Sequence, residues 1–242
     1  MQRITVINVK GGCGKTTIAT NLASAYAKLD VKTALLDYDN QASSMRWLES
    51  RPPEASKIHG ISAYRSNRSG ITRSWQLTPP ENTERIIIDT PPGLKGLELI
   101  DQLRDSDTIL VPVLPSSIDI HATTDFIRDL HMIVKLCPVN TRLFIICNRV
   151  KANTLAATML EQFLQTLDIP VIAWLRETQN YITAAEQGLG VHELDLRINQ
   201  KDIAAWRQIM QLIEATKKPV AKPLTKPQTP AEQSRQVIAK CA

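Results

Sequence analysis

A glycine-rich segment near the amino terminus carries two lysines and two threonines. It reads Lys10-Gly11-Gly12-Cys13-Gly14-Lys15-Thr16-Thr17 and follows an apolar run from Ile4 to Val9. A buried strand, a glycine turn and a helix start bring backbone N–H groups to one point, which suits a polyphosphate. In such a loop Lys15 reaches the β- and γ-phosphates and the Thr16 hydroxyl binds Mg²⁺. The segment therefore predicts a nucleotide site.

The loop departs from the usual phosphate-binding pattern at its start. Val9 stands where the pattern G-x-x-x-x-G-K-[ST] has its first glycine, and a second lysine, Lys10, opens the loop. Because Lys15 already serves the γ-phosphate of its own subunit, Lys10 is available to a neighbouring one. The alternative is a glycine-rich turn with incidental lysines, which the predicted strand and helix on either side disfavour.

Two further apolar runs end in acidic residues. The segment 32–41 contains Asp37 and Asp39, and the segment 85–93 contains Asp89. Continuous Leu and Ile runs of this length are typical of strands buried on both faces of a parallel sheet. Ligands of such sheets bind beyond the carboxyl ends of the strands. We therefore expect the three carboxylates to converge on the phosphates and their metal, although a single aspartate after a strand is often only a turn residue.

Together these segments resemble the deviant Walker ATPases of the ParA/MinD family, in the short form of the ParA branch. The resemblance covers residues 1 to about 215, with a D-x-D-x-Q segment at 37–41 and an I-I-D-T-P-P-G segment at 87–93. It implies that ATP and Mg²⁺ are the cofactors and that Lys10 crosses a dimer interface to the partner's ATP. It also implies that Asp37 and Asp89 support the Mg²⁺ held by Thr16, and that Asp39 orients the attacking water.

Later positions continue the resemblance. The segment 111–116, followed by Asp119, is similar to the family's strand and turn over the γ-phosphate. Asn148 and Arg149 resemble the adenine-contacting position, because an asparagine amide pairs with a purine edge; an ordinary turn residue is the alternative for Asn148. The segment 181–188 resembles the helix and glycine that the family places beside the nucleotide.

Strand-like and helix-like segments alternate along the chain, which indicates β-α-β crossovers and a mostly parallel sheet. We predict a single doubly wound α/β domain over residues 1–216, with helices on both faces, and a separate tail over residues 217–242. The predicted strands are 4–9, 32–37, 58–64, 85–89, 108–114, 142–148 and 170–175. The predicted helices are 18–29, 42–50, 97–103, 118–136, 155–167, 181–187 and 202–215.

The net charge of +5 lies in the tail, where six basic residues face one acidic residue and the rest of the chain is balanced. Four prolines deny the tail a helix and favour an extended conformation. Such a tail suits a polyanion such as DNA, although a solubilising end without a partner is the alternative. The family places DNA-contacting residues in the last third of the domain, but acidic residues lie among the candidates there. The candidates are Arg197, Lys201 and Arg207 in the domain and Lys217, Lys218, Lys222 and Lys226 in the tail.

The resemblance implies a function as well as a fold. We expect an ATP-sandwich homodimer that binds non-specific double-stranded DNA and hydrolyses ATP slowly. A small cargo adaptor of the ParB kind stimulates hydrolysis, and the cargo is a plasmid, a chromosome or a protein assembly such as the carboxysome. The resemblance also implies that the protein is in the cytoplasm at the nucleoid. We expect no membrane partner, because the sequence has no apolar run near the ~20 residues that span a bilayer. The four cysteines show no C-x-x-C pairing, which fits reduced cytosol.

Three other functions remain open. A MinD-type membrane ATPase shares the nucleotide motifs but needs an apolar-faced C-terminal helix. A small-molecule ligase of the dethiobiotin or cobyrinate type has no need of Lys10 or a basic tail. A nitrogenase-reductase-like carrier needs cluster-binding cysteines, and none lies between Cys13 and Cys137.

The region from Ala55 to Pro80 has no acidic residue and contains basic and aromatic side chains. It is either a partner contact or a solvated loop.

Overall fold

The fold is organised around one parallel sheet. The computed structural model describes residues 1–64, 78–136 and 141–215. Its seven strands lie in the order β3-β2-β4-β1-β5-β6-β7, and every pairing is parallel. The strands are β1 Gln2–Val6, β2 Thr33–Asp37, β3 His59–Ser62, β4 Arg85–Asp89, β5 Thr108–Val113, β6 Arg142–Val150 and β7 Val171–Arg176. The predicted doubly wound α/β fold is confirmed.

The central strands form because their residues are apolar and buried on both faces. All five residues of β2 and all six of β5 are buried, as expected for inner strands of a parallel sheet. The register pairs Asp37 with Asp89 and Val6 with Asp89. The carboxyl ends of β1, β2 and β4 therefore meet, and both acidic residues lie at that edge.

Helices cover both faces of the sheet. They are α1 Lys15–Lys28, α2 Ser43–Glu49, α3 Gly96–Leu103, α4 Ser117–Leu136, α5 Leu155–Gln165, α6 Asn180–Glu186 and α7 Leu196–Ala215, with a 3-10 helix η1 at Val191–Glu193. One face packs α1 and α7 through Ile18, Leu22 and Trp206. The other packs α3, α4 and α5 through residues such as Leu99 and Leu160. No helix in the described ranges is long and apolar enough to cross a membrane.

Two predicted boundaries are wrong for identifiable reasons. The first strand ends at Val6, not at Val9, because Asn8 turns its side chain to the Pro112 carbonyl. The last helix begins at Leu196, six positions before the prediction. Its early turns bury the polar residues Asn199 and Asp202, so the apolar periodicity starts only at Ile203.

Two arginines anchor the end of α7 at the amino edge of the sheet. Arg85, the first residue of β4, forms two hydrogen bonds from Nη2 to the Glu214 carboxylate at 2.9 and 3.0 Å. Arg142, the first residue of β6, donates from Nη1 to the Ile213 carbonyl at 2.9 Å. The α7 helix therefore ends at the edge opposite the acidic residues. The tail and half of the basic region 55–80, residues 65–77, lie outside the described residues.

Candidate nucleotide-binding site

The glycine-rich loop forms the compact turn that its sequence predicts. Gly12 and Gly14 have φ values of +74° and +99°, a region that L-residues with a Cβ rarely adopt. A Cβ on Gly14 would lie 2.0 Å from Asn148 Nδ2. Glycine is therefore required at position 14 both by the backbone and by a neighbour from β6.

Lys15 lies inside the loop. Its side chain is buried, and its ammonium donates to the carbonyls of Asn8 at 3.1 Å and Lys10 at 2.9 Å. These bonds hold the positive charge against the loop at the start of α1, where backbone N–H groups are also concentrated. The loop is thus preorganised to receive an anion.

The start of the loop is hydrogen-bonded to β5 and to the segment after β4. Asn8 Nδ2 donates to the Pro112 carbonyl at 2.7 Å, and Asn8 Oδ1 accepts from the Lys10 N–H at 3.0 Å. The Gly93 N–H donates to the Val9 carbonyl at 2.9 Å. Lys10 is half-buried, and its backbone is held between the segment after β4 and the ammonium of Lys15.

Asp37 and Asp89 are both connected to the start of α2. Asp37 Oδ2 accepts from the N–H groups of Ser44 and Met45 at 3.0 and 3.3 Å, so this carboxylate caps the helix. The Ser44 hydroxyl donates to Asp89 Oδ2 in a short hydrogen bond. Ser44, which the sequence analysis did not single out, therefore joins the two predicted metal-site carboxylates.

Burial sets the electrostatics of these carboxylates. It raises the pKa of Asp89 to about 6, although hydrogen bonds from Ser44 and Thr16 and the charge of Lys15 oppose the shift. Burial also raises the pKa of Asp37, against the lowering effect of its backbone hydrogen bonds. Asp89 Oδ1 is buried and accepts no hydrogen bond from the described residues. A water molecule of a hydrated Mg²⁺ is the kind of donor that such an oxygen needs, so the residues fit this ion.

Asp39 lies in a turn between β2 and α2. Its N–H donates to Asp37 Oδ1 at 2.9 Å, and its own Oδ1 accepts from the Gln41 N–H at 2.9 Å. The side chain is half-buried, unlike the fully buried Asp37. Asp39 is thus held beside Asp37, one of the two predicted metal-site carboxylates, on a loop rather than at the end of a strand.

A cavity of about 700 Å³ adjoins the loop on the side of β6 and β7. Thr17, Asn148, Arg149 and Tyr181 contribute to its lining. Asn148 Nδ2 donates to the Cys13 carbonyl at 2.9 Å, so its amide connects the phosphate loop with this cavity. Arg149 is exposed and has a φ of +53°. The residues predicted from the resemblance for the base and for the phosphates are brought together.

The cavity wall is held by side chains that sequence reasoning missed. Arg176, at the end of β7, donates to both carboxylate oxygens of Asp202 on α7, at 2.7 and 2.8 Å. Asn180 Nδ2 donates to Asp202 Oδ2 at 2.8 Å. Arg176 and Asn180 lie 26 and 22 positions before Asp202, and no local pattern connects them.

A buried ion pair joins α2 to η1. Arg51 donates to Glu193 at 2.6 and 2.9 Å and to the Gly188 carbonyl at 2.9 Å, and the side chains of Arg51 and Glu193 are 6% and 9% exposed. Gly188 has a φ of +64°, and a Cβ there would lie 2.5 Å from the backbone of residues 50 and 51. The segment after α6 is thereby locked to the helix that Asp37 caps.

The α7 candidates for DNA contact lie on the surface. Arg197, Lys201 and Arg207 are exposed, and Arg197 pairs with Asp195 at 2.9 Å. Two of the acidic residues among them, Glu193 and Asp202, are buried in ion pairs, so they add little negative charge to the surface. The candidates Lys217, Lys218, Lys222 and Lys226 lie outside the described residues.

The chain is similar to known proteins in sequence and in fold. Residues 4–191 match the CobQ/CobB/MinD/ParA nucleotide binding domain. Maintenance of carboxysome distribution protein A of Halothiobacillus neapolitanus is 27% identical over 195 residues, which are 80% of this chain and 88% of that protein. The apo McdA structure from Cyanothece superposes with a TM-score of 0.69 at 19% identity, over 87% of this chain and 99% of that one. A putative plasmid partition protein of Borrelia burgdorferi bound to AMPPNP gives 0.68 at 20% identity, over 89% and 99%.

These matches bear on the family as well as the fold. The family domain spans most of the described chain, including the glycine-rich loop, both acidic segments and the cavity residues of β6 and β7. The solved structures show the same α/β fold. The resemblance drawn from the motifs is thereby confirmed, and the chain belongs to the CobQ/CobB/MinD/ParA family as a deviant Walker ATPase of the ParA type.

Proposed function

We propose that this chain is an ATP-dependent switch that dimerises around two ATP molecules, binds DNA without sequence preference and positions a cargo, with the carboxysome as the favoured cargo. The observation that carries the proposal is the pair of lysines in the loop. The ammonium of Lys15 occupies the inside of the loop and is held by the carbonyl of Lys10. Because two ammonium groups repel each other, the side chain of Lys10 serves a different phosphate, that of a partner subunit.

The cargo is inferred from the relatives. Proteins named for maintenance of carboxysome distribution match about four fifths of this chain in two organisms, Halothiobacillus neapolitanus and Gloeobacter kilaueensis. The matches cover more than four fifths of those proteins as well. Positioning over the nucleoid in the cytoplasm, with a small adaptor protein that stimulates hydrolysis, is the corresponding role for this chain.

The metal-site residues support magnesium-dependent hydrolysis. Bound Mg²⁺ would neutralise charge on the phosphates. The Thr16 hydroxyl would bind the ion, and Asp37 and Asp89 would orient its waters, with Ser44 holding Asp89 in place. Asp39 would orient the attacking water from its turn, and Lys10 and Lys15 would stabilise the transferred charge. Hydrolysis would remove the phosphate that Lys10 binds, so the dimer would weaken.

The Lys10→Ala variant tests dimerisation. In ATP and Mg²⁺, wild type is expected to elute as a dimer in size-exclusion chromatography and the variant as a monomer, with DNA binding lost in parallel. Lys32→Ala removes the same charge from an exposed residue before β2, at the opposite edge of the sheet, and is the matched control. A Lys10→Ala protein that dimerises in ATP as wild type does would contradict the proposal.

DNA binding is assigned to the face of α7 and to the tail, each with its own variant. Deleting residues 217–242 is expected to lower affinity for non-specific DNA and to flatten its salt dependence, because each lost phosphate contact reduces the slope by about 0.9. Replacing Lys201 and Arg207 by alanine is expected to lower the affinity for DNA and its salt dependence to a smaller extent.

If ADP forms only when a small acceptor molecule is added and DNA has no effect on turnover, the protein is a ligase instead.

A further inference from the structure

We propose that Asp202 is a positioning residue for the nucleoside end of the nucleotide. It lies on α7, outside every segment that carries a nucleotide-binding motif, and it holds the wall of the cavity beside the phosphate loop. The inference rests on the nucleotide site of the proposed function and extends it to selection of the nucleoside.

The contacts of Asp202 define its role. Its side chain is 1% exposed and accepts hydrogen bonds from Arg176 Nε, Arg176 Nη2 and Asn180 Nδ2 at 2.7, 2.8 and 2.8 Å. Arg176 is the last residue of β7, and Asn180 is the first residue of α6. One buried carboxylate therefore fixes both ends of the loop 177–179.

That loop forms part of the cavity. Glu177, Thr178 and Gln179 all line it, as does Arg176 itself. A loop of three residues with both ends fixed has little conformational freedom left. Its backbone groups are consequently held in one arrangement before a ligand arrives, which lowers the cost of ordering them on binding.

A second contact from α7 reinforces the first. Trp206 Nε1, one helical turn after Asp202, donates to the hydroxyl of Tyr181 at 3.1 Å. Tyr181 also lines the cavity. Residues spaced by four positions lie on the same face of a helix, so α7 presents Asp202 and Trp206 together to the start of α6. The phosphate loop has no corresponding bond to these two residues among those the structure describes.

The test separates the two ends of the nucleotide. In Asp202→Asn, the affinity for ATP is expected to fall about tenfold, the scale of one charge-assisted hydrogen bond. The affinity for inorganic tripolyphosphate, measured by competition against a fluorescent ATP analogue in Mg²⁺, is expected to stay within twofold of wild type. The KM for ATP should rise by the same factor as the dissociation constant, while kcat stays near its wild-type value.

Two further variants make the outcome decisive. Asp125→Asn makes the same substitution in an exposed pair with Arg128 on α4 and should leave both affinities unchanged. Arg176→Gln breaks the ion pair with Asp202 from the arginine side, where the side chain is 43% exposed. It should show the same selective loss of ATP affinity, and it replaces Asp202→Asn as the test if that variant fails to fold.

Two results would overturn the inference. One is an ATP affinity that is unchanged in Asp202→Asn, or in Arg176→Gln if Asp202→Asn does not fold. The other is an equal loss for ATP and tripolyphosphate, which would mean that Asp202 supports the whole site. A wild-type protein that binds neither ligand would count against the proposed function instead.

Discussion

The two ends of the nucleotide site are built in different ways. The phosphate end is made mainly by one continuous segment, in which Lys15 bonds to carbonyls seven and five positions before it. The proposed nucleoside end is made by side chains from four separate elements, such as Arg176 and Asp202, which lie 26 positions apart. The first end depends on backbone geometry and the second on tertiary packing. Changes in packing are therefore expected to affect nucleoside binding before phosphate binding.

The difference has a chemical origin. A phosphate is bound by backbone N–H groups, which any sequence supplies once glycine allows the turn. A nucleoside offers a shape and a few polar edges, so the wall that contacts it must be rigid. In this chain the rigidity comes from two ion pairs, Arg176 with the buried carboxylate of Asp202 and the buried pair of Arg51 with Glu193.

The largest expected loss of stability comes from breaking the ion pair that joins the segment after α2 to η1. Arg51→Ala leaves the buried carboxylate of Glu193 without its cation, so the free energy of unfolding should fall by about 4 kcal/mol. Urea denaturation measures this change. Arg104→Ala, which breaks an exposed pair with Asp101 on α3, is the control and should cost less than about 1 kcal/mol. Similar losses in the two variants would show that the buried pair has no special role.

A smaller loss of stability is expected at Gly14, where the glycine-rich loop contacts Asn148 of β6. Gly14→Ala places a Cβ 2.0 Å from Asn148 Nδ2 at a φ of +99°, and strain and overlap together should lower stability by about 3 kcal/mol. Thermal unfolding and ATP titration measure the two consequences.

Gly12→Ala separates strain from overlap. It has a φ of +74° but no atom within 4 Å of the added Cβ. It should therefore lose less stability than Gly14→Ala. An equal loss in the two variants would assign the whole effect to backbone strain.

The smallest effect is a pH dependence at His192 on η1. Burial lowers the pKa of this imidazole to about 4, Glu193 opposes the shift, and Lys28 and Arg51 add to it. The unfolded chain takes up a proton near pH 6.5 and the folded chain only near pH 4, so stability falls as the pH falls between these values. The loss should reach about 2 kcal/mol at pH 5.

A histidine replacement isolates this contribution. His192→Gln keeps a partner for the Ser24 hydroxyl, which lies 3.0 Å from Nε2, and should remove this part of the pH slope in urea denaturation. His59→Gln, at an exposed position, should retain it. A slope that survives in His192→Gln would mean that another group titrates.

The sequence predicts one end of the site better than the other. The loop residues, Asp37, Asp39 and Asp89 occupy contiguous motifs, and the apolar runs before Asp37 and Asp89 place these two carboxylates at strand ends. Arg51 and Glu193 lie 142 positions apart, and Ser24 and His192 lie 168 apart. No local pattern carries such pairings, because they arise only when the helices pack on the sheet. Helix boundaries fail for the same reason at α7, where buried polar residues interrupt the apolar periodicity.

The anchoring of α7 at the amino edge has a consequence for how the protein is tethered. The helix contacts the cavity wall at Asp202 and ends at Ala215, beside Arg85 and Arg142. The last described residue therefore lies ~20 Å along the helix axis from Asp202, the α7 residue that contacts the cavity wall. Under the proposed function, a partner bound at that end of α7 would leave the cavity and the glycine-rich loop accessible.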